Sequence, residues 1–233
     1  MAYHGCIEKT GAPCINESVY EKMLSVLPEY QRHIRNCNDA SLGYDAANAE
    51  CVLANNMCSE YEGHFYTTGL NVFDVRKPCI GNVCYVWTHT LALFNNSATQ
   101  TSLGVSSEAR WSMYNFEVTD YFTYDHMKNF NWTIPPLLDA GIRVLIYAGD
   151  CDFICNWIGN KAWVKALQWS GTAGFNAAPD VEFRVGGRAA GQERAYGNFS
   201  FVRVYDAGHM VPMDQPQTSL YMVHQFLHDR RLA

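Results

Sequence analysis

The 233-residue chain has no run of apolar residues long enough to cross a bilayer, which takes about 20 in a helix, so no membrane span is expected. It also lacks basic runs. Lys and Arg number 17 against 23 Asp and Glu, and the net charge of −6 gives no footprint for nucleic acid as a partner. No internal repeat is present, which excludes a solenoid. The opening Met1-Ala-Tyr-His-Gly-Cys6 lacks the basic start and apolar core of an export signal, so the start is expected to be artificial or the true N-terminus to be missing. What is there is globular: 48% hydrophobic and 14% aromatic residues, enough for one large domain or part of one.

Nine cysteines are many for a reduced cytosol, and seven of them (Cys6, Cys14, Cys37, Cys51, Cys58, Cys79, Cys84) crowd the first third. This reads as a disulfide-stapled region of a protein of the secretory pathway, either extracellular or lysosomal and vacuolar. Four Asn-x-Ser/Thr triplets, at Asn16, Asn95, Asn131 and Asn198, fit the same compartment as glycosylation acceptors.

Residues 1–66 are polar, Asn-rich and Cys-rich, with one expected helix over about 17–35 capped by Asn16. Two extended pieces, 71–75 and 83–86, flank a turn with Pro78 and Gly81, where Cys79 and Cys84 would close a small loop. Short helices broken near Asn95 and Gly104 are expected up to residue 129. Pro135-Pro136 then starts a helix that Gly141 ends. The apolar run 142–148 reads as a central parallel strand with both faces buried. A helix over about 156–168, a Gly-rich polar stretch 171–197 and a second strand 199–205 follow. Asp214 is expected to cap a last helix whose inner face carries Leu220, Val223, His224 and Leu227. Alternation of strand and helix implies an α/β sheet. The expected division is 1–90, a Cys-rich insertion, and 91–233, the core.

Two strand ends carry chemistry. Asp152 lies in Ile146-Tyr-Ala-Gly-Asp-Cys-Asp-Phe-Ile-Cys-Asn-Trp157, and His209 in Ala207-Gly-His-Met-Val-Pro212. Loops beyond the carboxyl ends of strands are where α/β sheets expose reactive groups. An Asp followed by a His, each after its own strand, matches the tail of the Ser-Asp-His order used for acyl transfer. A carboxylate after a strand is also a common turn or helix cap, and on position alone Asp150 rivals Asp152. Ser59, Ser106 and Ser107 follow no apolar strand, so none suits a nucleophile.

The segments 149–163 and Gly208-His-Met-Val-Pro212 resemble two signature segments of the serine carboxypeptidases, the carboxypeptidase Y-like family. Thr68-Gly-Leu-Asn-Val-Phe-Asp-Val-Arg-Lys-Pro-Cys79 and Gly81-Asn-Val-Cys-Tyr85 resemble that family's stretch around a small disulfide loop. The resemblance implies the C-terminal part of an α/β-hydrolase fold with a Cys-rich helical insertion. It selects Asp152 as the triad acid and His209 as the base, and makes Asp150 a non-catalytic neighbour. By the same resemblance Ile154, Cys155, Met210, Phe73 and Tyr85 line the substrate pocket. The nucleophilic Ser and the oxyanion-hole amides would lie in an upstream half of the same fold.

The implied disulfides are Cys79 with Cys84 and Cys6 with Cys14, with pairing open among Cys37, Cys51 and Cys58. The family's fourth insertion cysteine has no counterpart near Tyr30, and Tyr114 stands where a bridging cysteine is expected. The implied activity is release of C-terminal amino acids from peptides or proteins, with this chain alone inactive. An acyltransferase or esterase on the same scaffold, or a non-catalytic remnant, would share the resemblance. No cofactor and no metal are expected; His224 and His228, one helical turn apart, lack a third ligand.

Overall fold

In a computed structural model, residues 1–81 and 83–232 are described; Asn82, within the Gly81–Tyr85 stretch, lies outside them. The chain divides into two compact units. The first comprises Met1–Val26, Tyr61–Pro78 and Asn129–Ala233, the second Leu27–Glu60 and Cys79–Lys128. These boundaries do not coincide with a division at residue 90.

In chain order the helices and strands begin with α1 (His4–Thr10), α2 (Glu17–Cys37) and α3 (Tyr44–Tyr66). A small antiparallel ribbon follows, β1 (Leu70–Asn71) and β2 (Asp74–Pro78). The short helices α4 (Thr88–Phe94), α5 (Ser97–Ser102) and α6 (Phe116–Tyr121) come next. Then α7 (Ile134–Asp139), β3 (Val144–Gly149), α8 (Trp157–Ala166), α9 (Thr172–Ala177), β4 (Val181–Val185), β5 (Arg188–Tyr196) and β6 (Phe199–Val204) lead to α10 (Val211–Asp214) and α11 (Pro216–Leu227).

The first unit is built on a four-stranded sheet of order β3-β6-β5-β4. β3 runs parallel to β6, with Val144 opposite Phe199 and Gly149 opposite Val204. β5 is antiparallel to both β6 and β4. Side chains alternate across β6. Phe199 and Phe201 join Leu138, Val164, Leu167 and Phe175 on the face covered by α7, α8 and α9. Val202 and Val204 join Phe183, Val211 and Met222 on the other. Both faces are thus covered, and every residue of β6 is buried. A buried Phe or Val side chain contributes roughly 1.5–3 kcal/mol of transfer free energy, so β6 is the axis of this unit.

Several local expectations are met. Asn16 Oδ1 accepts from the Val19 amide at 3.0 Å and starts α2. Prolines open α7. Asn156 Oδ1 accepts from Gly159 N at 2.9 Å and starts α8. In the second unit, α4 stops at Asn95, and Gly104, at φ 68°, follows α5.

Others are corrected. The wholly buried strand is β6, not β3, which among the described residues pairs with β6 alone and leaves Tyr147 exposed. Residues 83–85 are turn and bend and Val86 is irregular; the ribbon partner of β2 is β1. The first 66 residues hold three α-helices and a short 3₁₀ helix, Ala40–Leu42, not one helix. Helix α3 escapes hydrophobic periodicity because its buried positions include Ala47, Cys51 and Ala54, residues too small to mark a face. The stretch 171–197 contains α9 and a hairpin, β4 to β5, turned by Gly186 and Gly187 at φ 57° and 82°. Two positive φ values in sequence are the geometry of the tight hairpin turn that glycine permits. In α11 the buried residues are Thr218, Ser219 and Met222, while Leu220 and Leu227 are exposed; polar and small side chains fit the close approach to the sheet. Asp214 does not cap α11, whose first-turn cap position is Gln215.

Among the described residues three disulfides are present: Cys6–Cys14, Cys37–Cys51 and Cys79–Cys84. Cys37–Cys51 joins α2 to α3 in the second unit, beside a hydrogen bond of 2.7 Å between His33 Nδ1 and Glu50 Oε2. Cys58 takes part in none of these three. Among the described residues no helix is long and apolar enough to cross a membrane.

Candidate active site

Two loops leave the carboxyl ends of the parallel strands β3 and β6, and a third segment clamps them. Strand pairing runs on past both ends, with Asp150 N donating to Val204 O (3.0 Å) and Cys151 N to Ala207 O (2.8 Å). The turn of the β1–β2 ribbon then accepts from each loop. Val72 O takes the amides of Phe153 and Ile154, both at 3.1 Å, and Phe73 O takes the amide of His209 at 2.7 Å. Two adjacent carbonyls therefore fix the Asp loop and the His loop against one another.

Glycine makes this approach possible. A Cβ on Gly149 would lie 2.2 Å from Gly208 O and 2.3 Å from Ala207 O. A Cβ on Gly208 would lie 2.2 Å from Phe73 O. Neither neighbour can move aside, because both are backbone already held in the hydrogen-bond frame.

The result is a close pair. His209 Nδ1 lies 2.9 Å from Asp152 Oδ2, in hydrogen-bond range. Asp152 is 2% exposed, whereas the His209 side chain keeps 35% of its surface. An ionised carboxylate only accepts, so Nδ1 carries the proton and Nε2 keeps its lone pair. Burial pushes the Asp152 carboxyl above its ordinary pKa, opposed by His209, by its hydrogen bond and charge. The Cys155 and Ile154 amides also favour the charged form, although Asp152 Oδ1 is buried without a hydrogen bond of normal geometry. The Phe73 ring packs 5.2 Å from the imidazole, tilted by 52°.

Asp150 has different surroundings. It is fully buried and forms an ion pair with Lys9 of α1. Its carboxylate also accepts from Arg203 (3.3 Å), from the Asp206 amide (2.9 Å) and from the Cys151 thiol (3.3 Å). Arg203 in turn pairs with Glu8 and stacks on Trp157, 3.9 Å from the ring centre. Cys151 is buried; this and the Asp150 charge push its thiol far above its ordinary pKa.

The remaining candidates are distributed as follows. Cys155 is exposed, and its thiol can come within 4.8 Å of both the Asp152 and His209 ligand atoms. Partial enclosure of the thiol, then the charges of Asp152 and Glu62, raise its pKa. Ile154 is half-buried, with its amide on Val72. Met210 precedes α10, and its carbonyl accepts from Met213 N and Asp214 N at 2.8 and 3.0 Å. Tyr85 belongs to the second unit, where its ring lies 5.9 Å from that of Trp87. Ser59 is exposed inside α3, and Ser106 and Ser107 follow α5 in the second unit. Of the glycosylation candidates, Asn16 caps α2, Asn95 bonds the backbone of Leu91 and Trp111, Asn198 donates to Gly141 O, and Asn131 begins a short 3₁₀ turn.

Sequence reasoning missed three supports. Lys9 and Val72 carry no local signal, because they act from distant segments. Asp214 accepts from Gly208 N at 2.8 Å, one residue before the histidine. Lys77 links Asp214 (3.2 Å) to buried Asp74 (2.9 Å), which also holds Arg76. Burial pushes the Asp74 carboxyl up, but Arg76 and Lys77 more than offset this and hold it below its ordinary value. The run Asp74-Val-Arg-Lys77, with opposite charges in a strand, was the available signal.

The parallel pair β3 and β6, with helices on both faces of the sheet, is of the α/β-hydrolase type. Residues 1–229 match the family described as serine carboxypeptidase, and the chain belongs to that family. It is 43% identical over 178 residues to a serine carboxypeptidase-like protein of Pisum sativum, covering 76% of this chain and 62% of that one. It is 39% identical over 224 residues to the carboxypeptidase Y homolog A of Botryotinia fuckeliana, covering 94% of this chain and 40% of that one. The fold is similar to the crystal structure of Kex1(delta)p, a prohormone-processing carboxypeptidase from Saccharomyces cerevisiae. That match has a TM-score of 0.72 at 22% identity, over 96% of this chain and 50% of the other. The chain thus spans 40 to 62% of the length of these two curated relatives.

Proposed function

We propose that this chain supplies the acid and base of a serine-type carboxypeptidase that releases C-terminal amino acids from peptides. The observation that carries the reading is the 2.9 Å bond between buried Asp152 and half-exposed His209 on adjacent strand-end loops. In this mechanism a serine hydroxyl, contributed by an upstream half of the same fold, loses its proton to His209 Nε2 as it attacks the scissile carbonyl. His209 then returns the proton to the leaving amine, while Asp152 fixes the tautomer and stabilises the imidazolium. Phe73, Ile154, Cys155 and Met210 are the proposed lining of the substrate pocket. Membership of the serine carboxypeptidase family supports peptide C-termini as substrate. Three disulfides support residence in the secretory pathway, in a lysosome or vacuole or outside the cell.

The test joins this chain, by co-expression, to the serine-bearing half of a relative and follows release of the C-terminal amino acid from a blocked dipeptide. Release is expected, and His209→Ala abolishes it. The pure 233-residue chain is expected to give none. Turnover by the pure chain that His209→Ala removes would place a nucleophile inside it. Transfer from a glucose ester without peptide release would instead favour an acyltransferase on the same scaffold.

A further inference from the structure

A groove of about 500 Å³ opens in the first unit between the start of α7 and α8, lined by Asn129, Phe130, Asn131, Thr133, Ile134 and Trp163. That volume lies within the range of about 300–1,000 Å³ usual for ligand sites. Trp163 is a fixed platform in it. The ring packs against the core cluster of Phe175 and Phe199, and its Nε1–H donates to Asn160 Oδ1 at 2.9 Å. Phe130 keeps 58% of its surface exposed. Aromatic rings open to water beside the polar side chains of Asn129 and Thr133 suit a ligand with one apolar face and a polar edge, which is the shape of a pyranose sugar.

One lining residue, Asn131, is also the acceptor of the triplet Asn131-Trp-Thr133. The four acceptors of this kind differ in what their amide nitrogen does. Asn95 Nδ2 uses both its hydrogens, donating to Leu91 O at 3.0 Å and to Trp111 O at 2.9 Å. Asn198 Nδ2 donates to Gly141 O at 2.9 Å. Asn16 engages its oxygen, which accepts from Val19 N and the Ser18 hydroxyl. The Asn131 side chain makes no hydrogen bond among the described residues, although the turn that presents it is held. Its backbone N–H donates to Asn129 Oδ1 at 3.0 Å, and the Thr133 hydroxyl donates to Phe130 O at 2.8 Å.

We infer that Asn131 carries an N-linked glycan and that its first N-acetylglucosamine lies in this groove, with the C–H face of the sugar against Phe130 and Trp163. Attachment forms a bond between Asn131 Nδ2 and C1 of the sugar. The C1–O bond to the pyrophosphate of a lipid-linked oligosaccharide donor breaks, with its electron pair leaving on the pyrophosphate, and Nδ2 gives one proton to solvent. One N–H and the carbonyl oxygen of the side chain remain. The negative face of an aromatic ring attracts C–H bonds. A sugar tethered by one short side chain meets the groove at an effective concentration in the mM range, so a contact that is weak for free sugar fills it. The glycan thus covers apolar surface as well as adding polar surface. The inference rests on the secretory reading above, which supplies the donor.

The experiment sends the 233-residue chain through a eukaryotic secretory host behind a cleavable export signal and maps attached sugar by glycopeptide mass spectrometry. Sugar is expected at Asn131 and is lost in Asn131→Gln. Peptide N-glycosidase must reach the first sugar to cut. It should release the Asn131 glycan from the folded chain at least about 10-fold more slowly than from folded Phe130→Ala, the effect of a bias of about 1.4 kcal/mol toward the seated sugar. Phe130 is exposed, so its truncation leaves the core intact. With the glycan trimmed to one N-acetylglucosamine, the acetyl methyl protons should show nuclear Overhauser contacts to the Trp163 indole. Asn131 bare while Asn16 carries sugar, equal release rates in the two folded chains, or a sugar methyl without contact to Trp163 would each overturn the inference. Because export is supplied, these outcomes test the acceptor and its groove and leave the secretory reading untouched.

Discussion

Two carboxylates separated by one residue divide the end of β3 between them, and their surroundings are opposite. Asp150 is enclosed by Lys9, Arg203, the Asp206 amide and the Cys151 thiol, so its charge is spent on holding α1 and the β6 loop to the sheet. Asp152 faces one imidazole and leaves an oxygen without a bonded donor. A fully compensated buried charge is structural, because nothing remains to drive a change in it. An under-compensated one stays basic and polarises whatever it touches, which is what the proposed role of Asp152 requires.

The comparison can be broken from the Asp152 side first. In the enzyme completed with a serine-bearing half, Asp152→Asn should lower kcat by about 10⁴-fold, because the imidazole then rests in the wrong tautomer. Urea unfolding of the same variant should shift by no more than about 1 kcal/mol, the usual worth of one hydrogen bond. Asp150→Ala should do the reverse. It strands Lys9 and Arg203 and should cost about 3–5 kcal/mol in urea unfolding, the cost of breaking a buried ion pair from one side.

Acidity sharpens the contrast with a smaller effect. Burial raises the Asp152 pKa, so the folded state holds its proton more tightly than the unfolded chain does. Stability from this group is present below the ordinary value of 3.8 and is lost as pH rises through the raised one. Asp74, held below 3.8 by Arg76 and Lys77, acts in the opposite sense: its contribution is present above 3.8 and lost as pH falls through the lowered value. Unfolding free energy measured against pH should lose its fall above 3.8 in Asp152→Asn and its rise in Asp74→Asn.

The parts of this arrangement that were legible in the sequence are those with a local cause. The apolar run before Gly149, the helix starting near Asn156 and the strand before His209 each announce themselves within ten residues. Position alone left Asp150 and Asp152 equal and only the resemblance favoured Asp152; the partners that enclose Asp150, Lys9 and Arg203, lie too far along the chain from the turn to be read with it. The β4–β5 hairpin was obscured because charged residues alternate with the apolar ones on strands near the sheet edge, so its glycines read as loop. Helix α3 was obscured for the opposite reason, a buried face made of alanine and cysteine.

The two glycines where the loops meet carry a further consequence. The separation of acid and base is set by an omission, since at both Gly149 and Gly208 a backbone carbonyl sits where a methyl group would be. The spacing works like a gauge block ground to zero clearance: it admits no adjustment inward, and any carbon added at either position can only push the loops apart. The spacing of this pair is thus a one-sided quantity, widened by a single methyl and never narrowed at these two positions by adding anything.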